Sequence, residues 1–144
     1  MVKRPAPPGR DRYRHFTTIT MRWSDNDAYG HVNNTIYYQW FDSAVNTLLV
    51  DAGLLDIANG DPIGLVVETG CTYFAPLRFP GDVDVGISVD RLGGSSVTYR
   101  IGVFAVGAAE PAAQGHFIHV YVGRKSRRPV PLPDEWRAKL KEFH

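Results

Sequence analysis

The feature that most constrains the fold is a long helical pattern that begins near residue 34 and continues to about residue 50. Within it, polar side chains recur at positions i, i+3, i+4 and i+7, and therefore form one narrow stripe. The members of this stripe are Gln39, Asp42, Ser43 and Asn46. The other faces of the helix are apolar, so most of its surface must be covered by the rest of the chain. The pattern predicts a central helix that ends at Gly53, a residue type that readily adopts the left-handed conformation at a helix end.

Patterns typical of β-strands precede and follow this helix. One candidate strand lies at residues 15–23, and four more lie at about residues 63–75, 83–89, 95–106 and 114–123. Short turns connect the later strands, so the sheet should be mainly antiparallel. The sequence predicts an α+β fold in which an antiparallel sheet of about five strands wraps around one long helix.

Length and composition set the limits on organisation. The chain has 144 residues, which is enough for one domain with a buried core. Residues 1–12 are predicted to form a flexible tail, and residues 13–144 a single domain with a short C-terminal helix. The formal net charge of +1 argues against nucleic acid as the main partner. The sequence has neither a signal-like N-terminus nor a long apolar run, so we expect no membrane span and a cytoplasmic location.

A polar turn directly precedes the helix. Residues 23–34 hold two carboxylates, one histidine and two asparagines. Asn33 or Asn34 is a good candidate for the N-cap, because its side chain can accept a hydrogen bond from an N–H group of the first turn. The free N–H groups at a helix start, together with the positive end of the helix dipole, can stabilise an anion. The turn is therefore the predicted site of the chemistry.

Other reactive side chains give weaker signals. Cys71 is the only cysteine and has no histidine in a recognisable motif beside it, and a buried, unreactive thiol is more common. His116 and His119 are three residues apart on a predicted strand, so they point to opposite faces and make a poor metal pair. The sequence also lacks a P-loop, a dinucleotide-binding fingerprint and a Gly-x-Ser-x-Gly elbow. We expect neither a metal nor a cofactor.

The polar turn and the helix start also resemble a known family. They read Trp-Ser-Asp-Asn-Asp-Ala-Tyr-Gly-His-Val-Asn-Asn-Thr-Ile-Tyr-Tyr-Gln-Trp-Phe-Asp from residue 23 to residue 42. This run resembles the signature of the hotdog-fold thioesterases of the hydroxybenzoyl-CoA thioesterase type, and its Gly-His-Val-Asn-Asn part is also similar to acyl-ACP thioesterases. The likeness includes residues 75–82 and 91–98 and covers roughly residues 15–125. It implies a hotdog fold and the hydrolysis of an acyl-CoA thioester by a homodimer or homotetramer whose active sites lie between subunits.

The resemblance also implies roles for residues of the turn. Asp27 matches the catalytic carboxylate of the family, which can act as a general base or as a nucleophile. The N–H groups around residues 32–34 are candidates for binding the oxyanion, and the resemblance singles out the backbone N–H of Asn34. His31 matches the histidine of the signature, where it orients water, donates to the thioester carbonyl or forms a hydrogen bond across the turn. Asp25 either assists the second carboxylate or merely caps the turn.

The residues predicted to contact the substrate are Tyr29, Glu68, Arg78, Ser95, Ser96 and Arg124. The two arginines are candidates for the CoA phosphates, with a solvated basic surface as the alternative. The two serines belong to a glycine-containing turn that could approach the CoA through its backbone. The glutamate lies in an otherwise apolar strand and either completes the site of the other subunit or faces solvent. The tyrosine is a candidate for the lining of the acyl pocket, with core packing as the alternative.

Two other functions stay open. One is a hotdog enoyl-CoA hydratase, although those enzymes use an aspartate and a histidine in a different motif from that of Asp27 and His31. The other is a non-catalytic module that binds acyl-CoA, although the presence of Asp27 favours chemistry. Thiol release from a panel of acyl-CoAs by the wild type and by Asp27→Asn separates the three functions.

Overall fold

The structure of the chain is a computed structural model, which describes residues 7–144. A single five-stranded antiparallel sheet and two α-helices make up most of the described part. In chain order the elements are β1 (His15–Thr20), α1 (Asn34–Asp51), β2 (Ile63–Tyr73), β3 (Asp82–Leu92), β4 (Ser96–Ala105), β5 (Ala113–Val122) and α2 (Asp134–Lys141). Two short 3-10 turns lie at Arg10–Arg12 and Trp23–Asp25. The strand order across the sheet is β1-β3-β4-β5-β2, and all neighbouring pairs are antiparallel. The predicted α+β architecture is confirmed.

Helix α1 packs its apolar side chains against one face of the sheet, which we call the inner face. Phe41, Ala44, Val45 and Leu48 are completely buried there. The polar stripe of the helix includes exposed side chains and lies on the opposite side of α1, away from the sheet. The central helix predicted from the sequence is therefore covered on its apolar side, and its stripe faces outward.

A glycine of β5 sets the distance between α1 and the sheet. A side chain at Gly115 would collide with the ring of Phe41 and with the backbone oxygen of Gly70. Because the position is a glycine, the aromatic ring of the helix rests directly on the backbone of the sheet.

Local signals fix both ends of α1. The side chain of Asn33 caps the first turn by accepting a hydrogen bond from the N–H of Thr35 at 2.9 Å. At the other end Gly53 has a φ of 74°, and the N–H of Leu54 donates to the oxygen of Leu49 at 2.8 Å. This bond and the positive φ are those of a Schellman motif. The predicted N-cap and the predicted stop are confirmed.

The outer face of the sheet carries the N-terminal segment. Arg10 donates to the carboxylate of Asp84 at 3.0 Å and to the oxygen of Ala105 at 3.1 Å, and its guanidinium lies 4.7 Å from the ring centroid of Phe104. The 3-10 turn that contains Arg10 is therefore held against the sheet, although it belongs to the predicted tail. Residues 1–6 of that tail lie outside the described residues.

Strand β2 forms one edge of the sheet and pairs only with β5 among the described strands. Its register shifts between Val66 and Glu68, so Val67 is an extra residue in a β-bulge. Val67 is 60% exposed, and Leu65 and Val66 are also exposed. An edge of this length with exposed aliphatic side chains is suited to pairing with another chain.

The register also defines two ends of the sheet. Tyr73, Ala113 and Val103 are paired across β2, β5 and β4, next to the start of α1. Leu65, Val120 and Ser96 are paired at the opposite end. No helix in residues 7–144 is long and apolar enough to cross a membrane.

Candidate active site

The polar turn is closed by its own backbone and tied to the segment before β3. The N–H of Asp27 donates to the oxygen of His31 at 2.7 Å, and Gly30 between them has a φ of 82°. The N–H of Val32 donates to the oxygen of Leu77 at 2.8 Å. The loop from residue 27 to residue 31 is therefore a fixed structure at the N-terminal end of α1.

A surface cavity of about 380 Å³ opens beside this turn. Its lining includes Asp27, His31 and Asn34 together with Tyr37 and Tyr73. The structure thus brings together the three residues that the sequence analysis assigned to the chemistry. Their catalytic roles stay a prediction.

Asp27 lines this cavity, and one of its two carboxylate oxygens has no protein partner among the described residues. Its Oδ1 accepts a hydrogen bond from the N–H of Tyr29 at 2.8 Å, which orients the carboxylate. Its Oδ2 has no hydrogen-bond partner within residues 7–144. A half-buried carboxylate with one oriented and one open oxygen can accept a proton from water.

The N–H groups at the start of α1 are almost all used by the fold. Those of Val32 and Asn33 donate to the oxygens of Leu77 and Asp25, both at 2.8 Å. The N–H of Thr35 is taken by the capping side chain. The N–H of Asn34 has no partner in the described part of the chain and belongs to a residue that lines the cavity. The candidate oxyanion donor therefore narrows from residues 32–34 to Asn34 alone.

Tyr73, which the sequence analysis did not single out, holds the backbone of this donor residue. Its hydroxyl donates to the oxygen of Asn34 at 2.8 Å, and its ring packs edge-on against Tyr37 with the centroids 4.9 Å apart. Burial raises the pKa of Tyr73 well above its usual value, so the phenol remains a donor. Tyr73 is the last residue of β2, and only the strand register places it beside the helix start.

Asp25 stabilises the turn through hydrogen bonds with Arg22. It is only 1% exposed, and its carboxylate accepts hydrogen bonds from the N–H of Arg22 at 2.7 Å and from the guanidinium of the same residue at 2.8 Å. It does not line the cavity. Of the two interpretations of Asp25, the cap of the turn is the one that fits this geometry.

The ring of His31 forms no hydrogen bond with any described residue and is half-buried at the cavity. It is thus free to contact a substrate or a water molecule. Tyr29 lies at the tip of the turn and is 86% exposed, so within one chain it does not line the cavity. Arg78 is exposed and follows Leu77, the residue that is bonded to the turn.

The remaining predicted contacts lie elsewhere in the chain. The guanidinium of Arg124 is bound to backbone oxygens of the loop before β2, including that of Ile57 at 3.0 Å. Ser95 and Ser96 lie in the β3–β4 hairpin at the end of the sheet opposite to Asp27. Glu68 points to the outer face, where its carboxylate lies 2.9 Å from Nε2 of His116. A single chain therefore does not bring these four residues to the turn.

The described residues also bear on metal and thiol chemistry. Within residues 7–144 no group of three or more histidine, cysteine or acidic side chains could hold a metal ion. Burial raises the pKa of Cys71 to about 11, so the thiol is protonated at neutral pH. The absence of a metal and of a cofactor from the working protein stays a prediction.

Comparison with known proteins gives the family. The model of the thioesterase-like superfamily matches residues 21–140, which include the turn, α1 and the whole sheet after it. The chain belongs to this superfamily. The fold is the hotdog fold, and thioester hydrolysis is the activity that this membership supports.

Solved structures agree with this assignment. The PA5185 protein of Pseudomonas aeruginosa strain PAO1 is 51% identical, with a TM-score of 0.91 over 95% of this chain and 96% of that one. PA2801, described as a putative thioesterase of the same species, is 31% identical, with a TM-score of 0.77 over 86% of this chain and 95% of that one. Slr0204, a 1,4-dihydroxy-2-naphthoyl-CoA thioesterase from Synechocystis, is 19% identical, with a TM-score of 0.79 over 88% and 94% of the two chains, and shares the fold.

Proposed function

We propose that this protein hydrolyses acyl-CoA thioesters to the free acid and CoA. The observation that carries the proposal is that two residues lining one cavity each keep a group without a protein partner, Oδ2 of Asp27 and the N–H of Asn34. Hydrolysis of a thioester needs one group that activates the attacking oxygen and another that stabilises the oxyanion. The two open groups are of these two kinds.

In the proposed reaction Asp27 acts on water. The carboxylate removes a proton as the water oxygen bonds to the thioester carbonyl carbon, and the carbonyl oxygen becomes an oxyanion that accepts from the N–H of Asn34. The intermediate then collapses, the C–S bond breaks, and the proton on Asp27 passes to the departing sulfur. The alternative is that Asp27 attacks the carbonyl carbon itself, which yields CoA and an acid anhydride that water hydrolyses in a second step.

We infer that the working form is a homodimer joined through the β2 edge. The exposed aliphatic residues of this edge and its unpaired backbone groups support the inference. A two-fold axis pairs equal strands antiparallel, so the end of β2 at Tyr73 would lie beside the start of β2 in the partner. Such a pairing would bring Arg124, Ser95 and Ser96 of one protomer toward Asp27 of its partner. Arg78 and these residues are then the candidates for contact with CoA.

The decisive experiment measures thiol release from a panel of acyl-CoAs. The wild type should hydrolyse at least one of them, and Asp27→Asn should lower kcat/KM by about 10²–10⁴-fold, the range usual for a lost general base. Glu110→Gln removes a carboxylate from an exposed loop and serves as the matched control.

Three results would contradict the proposal. Hydrolysis that survives Asp27→Asn would remove the assigned carboxylate. Binding of acyl-CoA without thiol release would favour a non-catalytic module. Addition of water to an enoyl-CoA without thiol release would favour a hydratase.

A further inference from the structure

A histidine of β5 reaches across the edge strand β2 on the outer face of the sheet. Nε2 of His116 lies 2.9 Å from Oε2 of Glu68 on β2. The ring can lie over the strand because its partner in the ladder is a glycine, Gly70, where a methyl group would be only 2.6 Å from Cε1 of the ring. Both side chains are open to solvent, with exposed fractions of 46% for the histidine and 64% for the glutamate. The reaction proposed above makes no use of this pair.

Glu68 also lies at the middle of β2. The strand runs from Ile63 to Tyr73, so an antiparallel pairing of two copies over its whole length is centred on residue 68. In such a pair the outer faces of both copies lie on the same side of one continuous sheet. Glu68 then lies opposite Glu68 of the partner subunit, with the two Cβ atoms about 4.5–5.5 Å apart. Each carboxylate has its own histidine beside it.

This arrangement needs a cation. Two like charges directly opposite each other destabilise a strand pair, and a divalent ion between the two carboxylates would replace the repulsion by an attraction. One chain offers only one carboxylate and one imidazole here, and within residues 7–144 no group of three or more such side chains could hold a metal. Two chains together offer two carboxylates and two imidazoles, which are ligand types that Zn²⁺ takes in four-coordinate sites.

The spacing of the two donor atoms in one chain suits a shared metal ion. Nitrogen and oxygen ligands lie about 2.0–2.2 Å from Zn²⁺, so two neighbouring ligands of a tetrahedral site are about 3.3 Å apart. The separation between His116 and Glu68 is 2.9 Å, so a small movement of either side chain would open the position. Arg100 is paired with His116 across the ladder, but its guanidinium donates to Asp90 at 3.1 Å, on the side away from β2.

We propose that two copies of this chain hold one Zn²⁺ ion at the centre of the β2–β2 seam, with Glu68 and His116 of each protomer as its four ligands. The ion is structural: it joins the two protomers and takes no part in the thioester chemistry. The expectation of a metal-free protein considered His116 and His119 of one chain, which point to opposite faces, and did not cover ligands from two chains. This inference rests on the dimer that we propose above.

The first test measures the binding of Zn²⁺ in the absence of any substrate. After bound metal has been removed with EDTA, calorimetric titration of the wild type should give one Zn²⁺ per two chains. Glu68→Gln and His116→Gln each remove two of the four ligands of the dimer. Each should weaken binding by more than about 100-fold, the upper value for loss of a mere outer-shell partner.

Matched controls remove the same chemical groups from other places. Glu110→Gln and His144→Gln change an exposed carboxylate and an exposed imidazole outside β2 and β5, and both should bind Zn²⁺ as the wild type does. Absence of binding by the wild type would overturn the inference. Binding of one ion per chain, or binding that survives both Glu68→Gln and His116→Gln, would overturn it as well.

The second test concerns the effect of the metal on assembly. An ion that binds the dimer and not the single chain must favour the dimer, so Zn²⁺ should lower the dissociation constant of the dimer by about tenfold or more. Analytical ultracentrifugation in Zn²⁺ and in EDTA would measure the two constants. The two constants of Glu68→Gln should be equal. A wild-type dimer that is equally tight with and without Zn²⁺ would contradict a metal at the seam.

The third test concerns the register of the seam. In a Cys71→Ser background, Glu68→Cys places a thiol on each side of the two-fold axis, about as far apart as a disulfide requires, so mild oxidation should join the two chains. Thr72→Cys lies on the same face of β2, four residues from the centre, and should give no such cross-link. A dimer of Glu68→Cys that resists cross-linking would show a different register and would overturn the site. All three tests are independent of hydrolysis, whose failure would appear as the absence of thiol release from every acyl-CoA.

Discussion

At the scale of single residues, the start of α1 leaves one N–H group outside the hydrogen bonds of the fold. The N–H of Thr35 donates to the capping side chain, and the N–H groups of Val32 and Asn33 donate to backbone oxygens. The N–H of Asn34 is the donor at this helix start that has no partner among the described residues. The hydroxyl of Tyr73 then holds the carbonyl of Asn34. The open donor is thus surrounded by fixed groups, which is the condition for stabilising an oxyanion without reorganisation.

Replacing Tyr73 by phenylalanine should therefore weaken catalysis without removing it. The variant loses one hydrogen bond to the backbone of Asn34, worth about 1 kcal/mol, so kcat should fall by about five- to tenfold. The KM should change less, because the phenol acts as a positioning group on the oxyanion donor. Steady-state kinetics with one acyl-CoA would measure both values. A larger change in KM than in kcat would indicate direct contact with the substrate instead.

His119 predicts a dependence of stability on pH. Its pKa is about 4 in the folded chain, against 6.5 when unfolded, so between these values the unfolded chain binds more protons. The free energy of unfolding should therefore fall as the pH decreases from about 6.5 to about 4, by a total of about 3 kcal/mol from this residue.

Urea unfolding at a series of pH values would measure this effect. The matched variant His119→Gln cannot titrate at this position, so its stability should fall less over the same interval. Parallel curves for the two proteins would show that the buried imidazole is not the source.

At the scale of elements, the edge strand β2 has one role within the chain and a second that we propose between chains. Its last residue reaches the helix start within one chain, and its exposed side carries the aliphatic residues that we assign to the dimer. A charge on this edge should oppose strand pairing between two copies.

Val67→Lys should convert the dimer to a monomer, because Val67 lies in the bulge of the free edge and is 60% exposed. Light scattering coupled to size-exclusion chromatography would give the mass. Thr20→Lys places the same charge on β1, the other edge of the sheet, and should leave the mass of the wild type unchanged. A dimer that persists in Val67→Lys would place the interface elsewhere.

How far the sequence could predict this molecule depends on how local each signal is. The cap at Asn33 and the stop at Gly53 were predicted, because each acts within one turn of the helix. The five strands were predicted from periodicity, with ends that differ from the structure by a few residues.

The unpredicted parts depend on contacts between distant segments. Tyr73 meets Asn34 only through the fold, 39 residues apart in the chain. The burial of Asp25 and the unpaired nitrogen of His119 likewise depend on which elements cover them. Glu68 could not be assigned to a face from the pattern, because the bulge at Val67 interrupts the alternation of β2.

At the scale of the whole molecule, the residues that we propose for catalysis and those that we propose for CoA lie far apart in one chain. One chain holds Asp27 and Asn34 at one end of the sheet, whereas Ser95 and Ser96 lie at the other end. Only a second copy in antiparallel orientation would join the two halves.

Activity should therefore depend on protein concentration. When the wild type is diluted below the dissociation constant of the dimer, its specific activity should fall in step with the loss of dimer. Rates measured over a dilution series, with the dimer fraction from light scattering, would test this. Val67→Lys should show a low specific activity at every concentration. A constant specific activity for the wild type in its monomeric range would mean that one chain is sufficient.

The contact between Phe41 and Gly115 has a consequence for how this protein can change over evolutionary time. Glycine has only a hydrogen atom in place of a side chain, so at position 115 the helix can pack directly on the sheet, and every other amino acid is larger. Any side chain there would have to displace the ring of Phe41 on α1 and the backbone of β2 at Gly70. A survey of tolerated mutations should therefore find position 115 as restricted as the acidic residue of the turn, although it takes part in no chemistry. A smaller residue at position 41 would relieve the collision with the ring but not the one with the backbone oxygen of Gly70, so position 115 is expected to stay glycine even where position 41 changes.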